Sequence, residues 1–144
     1  MTDSPRYSVS VAAAVVRDDG KFLAIKRADN GHWEPPGGVL ESGEPIHAGL
    51  VREVQEETGL TVEPERLSGI YQNMGQDILA LVFRCRVARG NQSLSDESSD
   101  VAWLSRAEVA DRMDEAYAVR LIDALGDDST TCVRTHDGVR VLDG

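Results

Sequence analysis

Three glutamates, Glu53, Glu56 and Glu57, crowd one short stretch of the chain, with Arg52 immediately before them. On a helix that turns by roughly 100° per residue they fall within an arc of about 100°. Ile46, Leu50, Val51 and Val54 form a neighbouring apolar arc, with Glu57 at its edge. The carboxylates are therefore expected on the wall of a cleft, where the helix enters the protein. Such crowding is unfavourable by itself, because like charges at i,i+3 and i,i+4 each cost roughly 0.2–0.5 kcal/mol on a helix surface. The glutamates also occupy the last two turns before Thr58-Gly59, where the helix dipole disfavours negative charge. A hard divalent cation offsets both penalties, and Mg²⁺ typically binds through a few carboxylates plus substrate phosphates. The plainer use of such a cluster in an acidic chain is a solvated helix face.

The wider spacing decides between the two. Gly38 is followed after five residues by Glu44, and after seven more by Arg52-Glu53-Val54-Gln55-Glu56-Glu57-Thr58-Gly59-Leu60. This matches the Nudix box, G-x5-E-x7-R-E-U-x-E-E-x-G-U with U a bulky aliphatic residue, at every fixed position. Trp33-Glu34-Pro35-Pro36-Gly37-Gly38 also resembles the approach loop common in that family. The chain resembles a Nudix hydrolase over most of its length, with the specific motifs confined to Trp33 through Leu60.

The resemblance implies an α/β (α+β) fold, an α/β/α sandwich around a mixed β-sheet. It also implies metal-dependent hydrolysis of a pyrophosphate bond in a nucleoside diphosphate linked to another moiety, with Mg²⁺ as cofactor and Mn²⁺ as a substitute. Residue by residue, it makes Glu53 and Glu57 metal ligands and Glu56 either a third ligand or the general base. Arg52 would hold Glu53 by a charge-assisted hydrogen bond. Glu44 would brace the loop, and Gly38 would offer its backbone carbonyl to the metal. Family members often add an acidic residue from a distant loop. Asp96, Glu97 and Asp100 are the candidates here, with Glu97 favoured for its reach. Arg27, Trp33, Tyr71 and Asn73 are candidates for binding substrate, although packing, here of the loop onto the core, is the commoner use of a tryptophan such as Trp33. His32, His47 and His136 are scattered, as ordinary surface or packing residues are.

Composition bounds the answer from the other side. A chain of 144 residues with 41% apolar content is long enough for one domain, spanning residues 1–144, with a proper core. Its net charge of −10 opposes a nucleic-acid surface, which would carry a basic face. Cys85 and Cys132 form neither a disulfide framework nor a zinc pattern. No apolar run approaches a membrane span, and the N-terminus lacks the apolar core of a signal peptide. The expected protein is soluble and cytoplasmic and acts on a nucleotide-derived small molecule, with monomer or homodimer left open.

Several elements must position these residues. Met1 to Arg6 reads as a frayed polar leader. Ser8–Val16 reads as a strand that becomes buried, and 21–27 as its hairpin partner across Asp18-Asp19-Gly20. The glycines at 37 and 38 allow close approach. Pro45 suits the first helical position and Gly59 the C-cap. Strands are expected at Leu67–Tyr71, Ile78–Val87 and Val101–Leu104, with a polar loop from Gly90 to Asp100. Ser105 and Glu108 form a capping box, and Ala116–Leu125 is a further helix. Thr131–Arg134 and Val139–Leu142 close the chain as a hairpin.

Substrate markers of the family's branches are missing. In the ADP-ribose branch a proline follows the box by about fifteen residues, where this chain has Gly75 and Gln76. Asp77 and Ile78 stand where the diadenosine-polyphosphate branch has a tyrosine. The motifs of the NADH and coenzyme A branches are absent as well. Nucleoside triphosphates, oxidised ones included, nucleotide sugars and an unmarked ADP-ribose activity remain. A nucleotide sensor that does not cleave is the rival class, but sensors of this fold tend to lose box carboxylates and this chain keeps every one.

Overall fold

A computed structural model describes residues 6–127 and 129–142; the first five residues of the expected leader lie outside them. The elements run β1 (Ser8–Val15), β2 (Phe22–Arg27), β3 (Trp33–Glu34), β4 (Gly37–Val39), α1 (Ile46–Thr58), β5 (Leu60–Asn73) and β6 (Ile78–Gly90). They continue through β7 (Ser98–Leu104), α2 (Arg106–Arg112), α3 (Glu115–Asp123), β8 (Cys132–His136) and β9 (Val141–Leu142).

Alternation along the strands builds two cores. Val11, Ala13 and Val15 of β1 pack with Leu50 and Val54 of α1, together with Phe83 and Cys85 of β6. Ala12 and Ala14 face the other way, toward Val109 of α2, Ala118 and Leu121 of α3, and Val82 of β6. Helices thus cover both faces of the central strands, which is why β1 and β6 read as nearly continuous apolar runs. The result is the expected α/β/α arrangement. Its six-stranded mixed sheet has the order β4-β1-β6-β5-β8-β9, with β1 parallel to β6 and β5 parallel to β8.

The expected β1–β2 hairpin does not form a ladder. β2 belongs to a separate three-stranded sheet, β3-β2-β7, and meets the end of β1 only through the bridge between Val16 and Phe22. Each of the two strands finds longer partners elsewhere, β1 in β6 and β2 in β7, so the turn at Gly20 carries the chain from one sheet to the other. β3 also interrupts the expected loop before the glycines, pairing Ile25 with Glu34 and Lys26 with Trp33. β5 begins directly after the α1 cap and is longer than expected, with register shifts at three places against β6.

Local chemistry sets the ends of the helices. Pro45 is the N-cap of α1 rather than its first helical residue, and Gly59 at φ 79° ends the helix in the left-handed conformation. Ser105 and Glu108 form the reciprocal capping box of α2. β8 and β9 pair antiparallel across Asp137-Gly138, as their pattern predicts.

Candidate active site

α1, β4, the end of β2 and the loop before β7 enclose a cleft of about 860 Å³, lined by Arg27, Gly38, Glu53, Glu57, Asp96 and Glu97 among others. β4 lies tight against the β1 backbone on one side and the Glu53 side chain of α1 on the other. A Cβ on Gly37 would strike the β1 backbone, and one on Gly38 would strike the Glu53 carboxylate. Close approach, not unusual φ, is what these two glycines provide.

The box carboxylates divide by environment. Glu57 is only 6% exposed, and its Oε1 accepts a 2.7 Å hydrogen bond from the Gly37 N–H. Burial, followed by the neighbouring charges of Glu53, Glu34 and Glu97, nevertheless pushes its carboxyl up to about 8. Glu53 is also raised, chiefly by burial, against the lowering influence of Arg52.

Arg52 organises the opposite side. Its Nε and Nη2 donate to the two oxygens of Glu44 at 2.6 and 2.9 Å, a bidentate pair. Its Nη1 donates to Glu53 at 3.1 Å and to Glu56 at 3.2 Å. The guanidinium holds the Glu44 carboxyl down at about 2. Glu44 also accepts from the Glu41 N–H at 3.1 Å, which braces the loop before α1.

The loop after β6 is fastened over the cleft at two points. The Ser93 N–H donates to the Thr58 carbonyl at 2.8 Å, and the Ala28 N–H donates to the Glu97 carbonyl at 2.9 Å. These bonds bring Asp96 and Glu97 to the cleft wall. Asp100 is instead taken up in β7, opposite Lys26, and caps the Val101 N–H.

The expected site residues therefore separate. Arg27, Gly38, Glu53, Glu57 and Glu97 share the cleft. Arg27 enters it beside a register shift between Lys26 and Arg27, a common way for a sheet to re-aim a side chain. It is held there by Asp29 and Glu34. Glu56 lies off the lining, with its side chain 60% exposed and paired to Arg52. Tyr71 corrects the expectation of a substrate contact: it is fully buried, and its hydroxyl donates to Asp123 at 2.8 Å. Trp33 lines no described pocket and packs against the core under α2 and α3. Asn73 lines a second, smaller pocket. Asp29 and Glu41 also reach the cleft, and nothing in their spacing marks them.

All the acidic donors are oxygens, the set a hard divalent cation prefers. Among the described residues no three acidic, histidine or cysteine side chains gather tightly enough to form a closed ligand set. An open carboxylate wall still fits Mg²⁺, which keeps several waters and takes only one or two carboxylates plus substrate phosphates.

Comparison with known proteins agrees with this geometry. The NUDIX domain family model matches residues 6–125. The chain belongs to the Nudix family. It is a Nudix pyrophosphohydrolase, similar to a MutT-like protein of Streptomyces ambofaciens at 53% identity over 98% of this chain and 91% of the relative. It is 30% identical to the nucleoside triphosphatase NudI of Salmonella agona, over 70% of this chain and 84% of the relative. Among solved structures, an ADP-ribose pyrophosphatase from Streptococcus suis superposes with a TM-score of 0.74 at 23% identity, covering 89% of this chain and 99% of that one. That last likeness is one of fold. No helix among the described residues is long and apolar enough to cross a membrane.

Proposed function

We propose that this Nudix enzyme hydrolyses a pyrophosphate bond in a nucleoside diphosphate linked to another group, using Mg²⁺ with Mn²⁺ as a substitute. The observation that carries the proposal is Glu57. Burial first, and then the charges of Glu53, Glu34 and Glu97, push its carboxyl up to about 8, and among the described residues no guanidinium pairs with it. A cation is the missing counter-charge. Glu53, Glu57 and Glu97 would hold it, with the Gly38 carbonyl as a further donor. When bound, such an ion screens the phosphate oxygens and lowers the pKa of its water.

The chain's own residues do the positioning, which is most of what phosphoryl transfer to water requires. Arg52 fixes the Glu53 rotamer, and the Gly37 N–H fixes that of Glu57. Arg27, although tied to Asp29 and Glu34, presents positive charge to an anionic substrate. Glu56, exposed and tethered to Arg52, steadies that guanidinium and stays off the substrate. The name of one relative, a nucleoside triphosphatase, supports a nucleotide substrate class.

Phosphate and pyrophosphate release across a panel of nucleoside triphosphates, nucleotide sugars and ADP-ribose, with Mg²⁺ or Mn²⁺, tests the proposal. Turnover of at least one member, abolished by EDTA, is expected. A folded protein inert on the whole panel, or one indifferent to EDTA, overturns it.

A further inference from the structure

Arg27 is the one basic side chain among the described residues that line the cleft, where six carboxylates accompany it. Its Nε and Nη2 donate to the two oxygens of Asp29 at 2.9 and 2.7 Å, a bidentate fork. Its Nη1 donates to Glu34 at 3.2 Å. The two partners differ in place and in freedom. Glu34 belongs to β3, outside the cleft lining, and its side chain is 19% exposed. Asp29 lies in the turn after β2, lines the cleft, and has a side chain 62% exposed.

The fork that Asp29 fills is the one a phosphate would take, because carboxylate and phosphate oxygens both match a guanidinium bidentately. An exposed ion pair contributes little to stability, so exchanging its anion costs little. The hydrogen bonds from Arg27 hold the Asp29 carboxyl down at about 2. No proton therefore frees the fork near neutral pH, and only another anion can. The turn itself does not depend on the pair. The Gly31 N–H donates to the Arg27 carbonyl and the Arg27 N–H to the His32 carbonyl, both at 2.9 Å. The Asn30 side chain accepts from the His32 N–H at 2.9 Å. The Asp29 side chain can leave without unravelling this backbone.

We propose that Asp29 is a built-in competitor of the substrate: its carboxylate holds the Arg27 fork before binding, and a phosphate of the substrate displaces it while Glu34 keeps the guanidinium aimed. Asp29 thereby restrains the affinity for the anion. A purely structural pair carries the opposite sign, since losing a brace weakens binding whereas losing a competitor tightens it. Removing Asp29 also withdraws a negative charge within a Debye length of the incoming phosphate. The inference deepens the anionic-substrate reading of the cleft and rests on it.

Imidodiphosphate, whose P–N–P bridge mimics a pyrophosphate and resists hydrolysis, probes the fork without any turnover. Calorimetry at fixed free Mg²⁺ should show Asp29→Asn binding it roughly three- to tenfold more tightly than the native protein. Asp29→Glu, which restores the carboxylate, should return the affinity toward the native value. Asp96→Asn removes the same charge from the same cleft without freeing a guanidinium, and should tighten binding distinctly less. Unchanged or weaker binding by folded Asp29→Asn, a gain that Asp29→Glu retains, equal tightening by Asp96→Asn, or no binding by any of these proteins overturns the proposal. Should Asp29→Asn fail to fold, Asp29→Ser gives the same reading. The expected gain in a protein that hydrolyses nothing in the nucleotide panel would uphold the exchange and reject the hydrolytic reading. Hydrolysis with an affinity that Asp29→Asn leaves unchanged would reject the exchange alone.

Discussion

Glu44 and Glu57 belong to the same motif, and their surroundings drive their protonation in opposite directions. Glu44 receives two hydrogen bonds from Arg52, and its carboxyl falls to about 2. Glu57, on α1, is buried, receives a single backbone N–H and faces other carboxylates, and its carboxyl rises to about 8. A glutamate whose guanidinium is built in serves the architecture. On the proposed reading, a glutamate without a guanidinium takes its partner from a bound cation. The side of α1 that carries Arg52 is paired as folded, whereas the side that carries Glu57 would be completed by binding.

The most severe way to break this contrast is Glu57→Gln. It should lower kcat by more than roughly a hundredfold, beyond the 10–100-fold typical of residues that only support a metal ligand. The chelated variant should melt no lower than the native protein, because a desolvated carboxyl among like charges has been removed. Normal turnover by the variant would show that Glu57 is not a ligand.

The same contrast gives a pH dependence of stability with two flanks. The folded pKa of Glu57 lies above its unfolded value, so its contribution is fully present below about 4.5 and is lost as pH rises through about 8. The folded pKa of Glu44 lies below its unfolded value, so its contribution is present above about 4.5 and is lost as pH falls toward about 2. The EDTA-treated protein should therefore lose Tm between pH 5 and pH 8.5, and Glu57→Gln should flatten that decline. Mg²⁺ at pH 8.5 should restore the loss, by about 2.7 kcal/mol at 100 times its Kd. A chelated protein with a flat alkaline profile would contradict the carboxyl-wall account.

Arg52→Lys sharpens the comparison from the other side. Lysine keeps the charge and loses the fork that grips Glu44 while steering Glu53. Turnover should drop by roughly 10–100-fold, Tm should fall in acid and neutral buffer alike, and the alkaline decline set by Glu57 should persist. Measured together, these readouts separate the bracing role from the binding role.

Much of this division is legible in the chain because it rests on local rules. Helical spacing places Glu57 beside Val54 and Leu50, and Gly59 and the Ser105–Glu108 pair mark helix ends through short-range hydrogen bonds. What stays hidden depends on partners distant in sequence. β1 and β2 look like a hairpin until β6 and β7 claim them, and the alternation around Tyr71 does not reveal that Asp123 holds its hydroxyl inside the core. Arg120 falls between these cases. Ala116, Arg120 and Ala124 recur at intervals of four, which puts the arginine on the buried face of α3, although its charge invites a surface assignment. Glu53 and Glu56 show the same limit, for spacing groups them and the fold gives one to the cleft and the other to solvent.

The smallest expected effect concerns the loop that completes the carboxylate wall. Two bonds fasten it, Ser93 to Thr58 and Ala28 to Glu97, and both use backbone atoms, so the side chains of Asp96 and Glu97 are free to be changed without releasing the loop. Both line the cleft, but only Glu97 is close enough to raise the carboxyls of Glu53 and Glu57. Glu97→Gln should therefore lower turnover roughly tenfold and shift the Mg²⁺ dependence to higher concentration. It should also shrink the alkaline loss of stability in the chelated protein and end it at lower pH, because one source of repulsion on Glu57 is gone and its carboxyl is raised less. Asp96→Asn should do less on both counts. Asp100→Asn, with its carboxylate committed to the Val101 N–H in β7, should leave the metal dependence where it was. Metal titrations of the three variants decide the matter. A dominant Asp100 effect would mean that the loop swings in register when substrate binds, and silence from all three would leave water, rather than this loop, as the remaining side of the cation's shell.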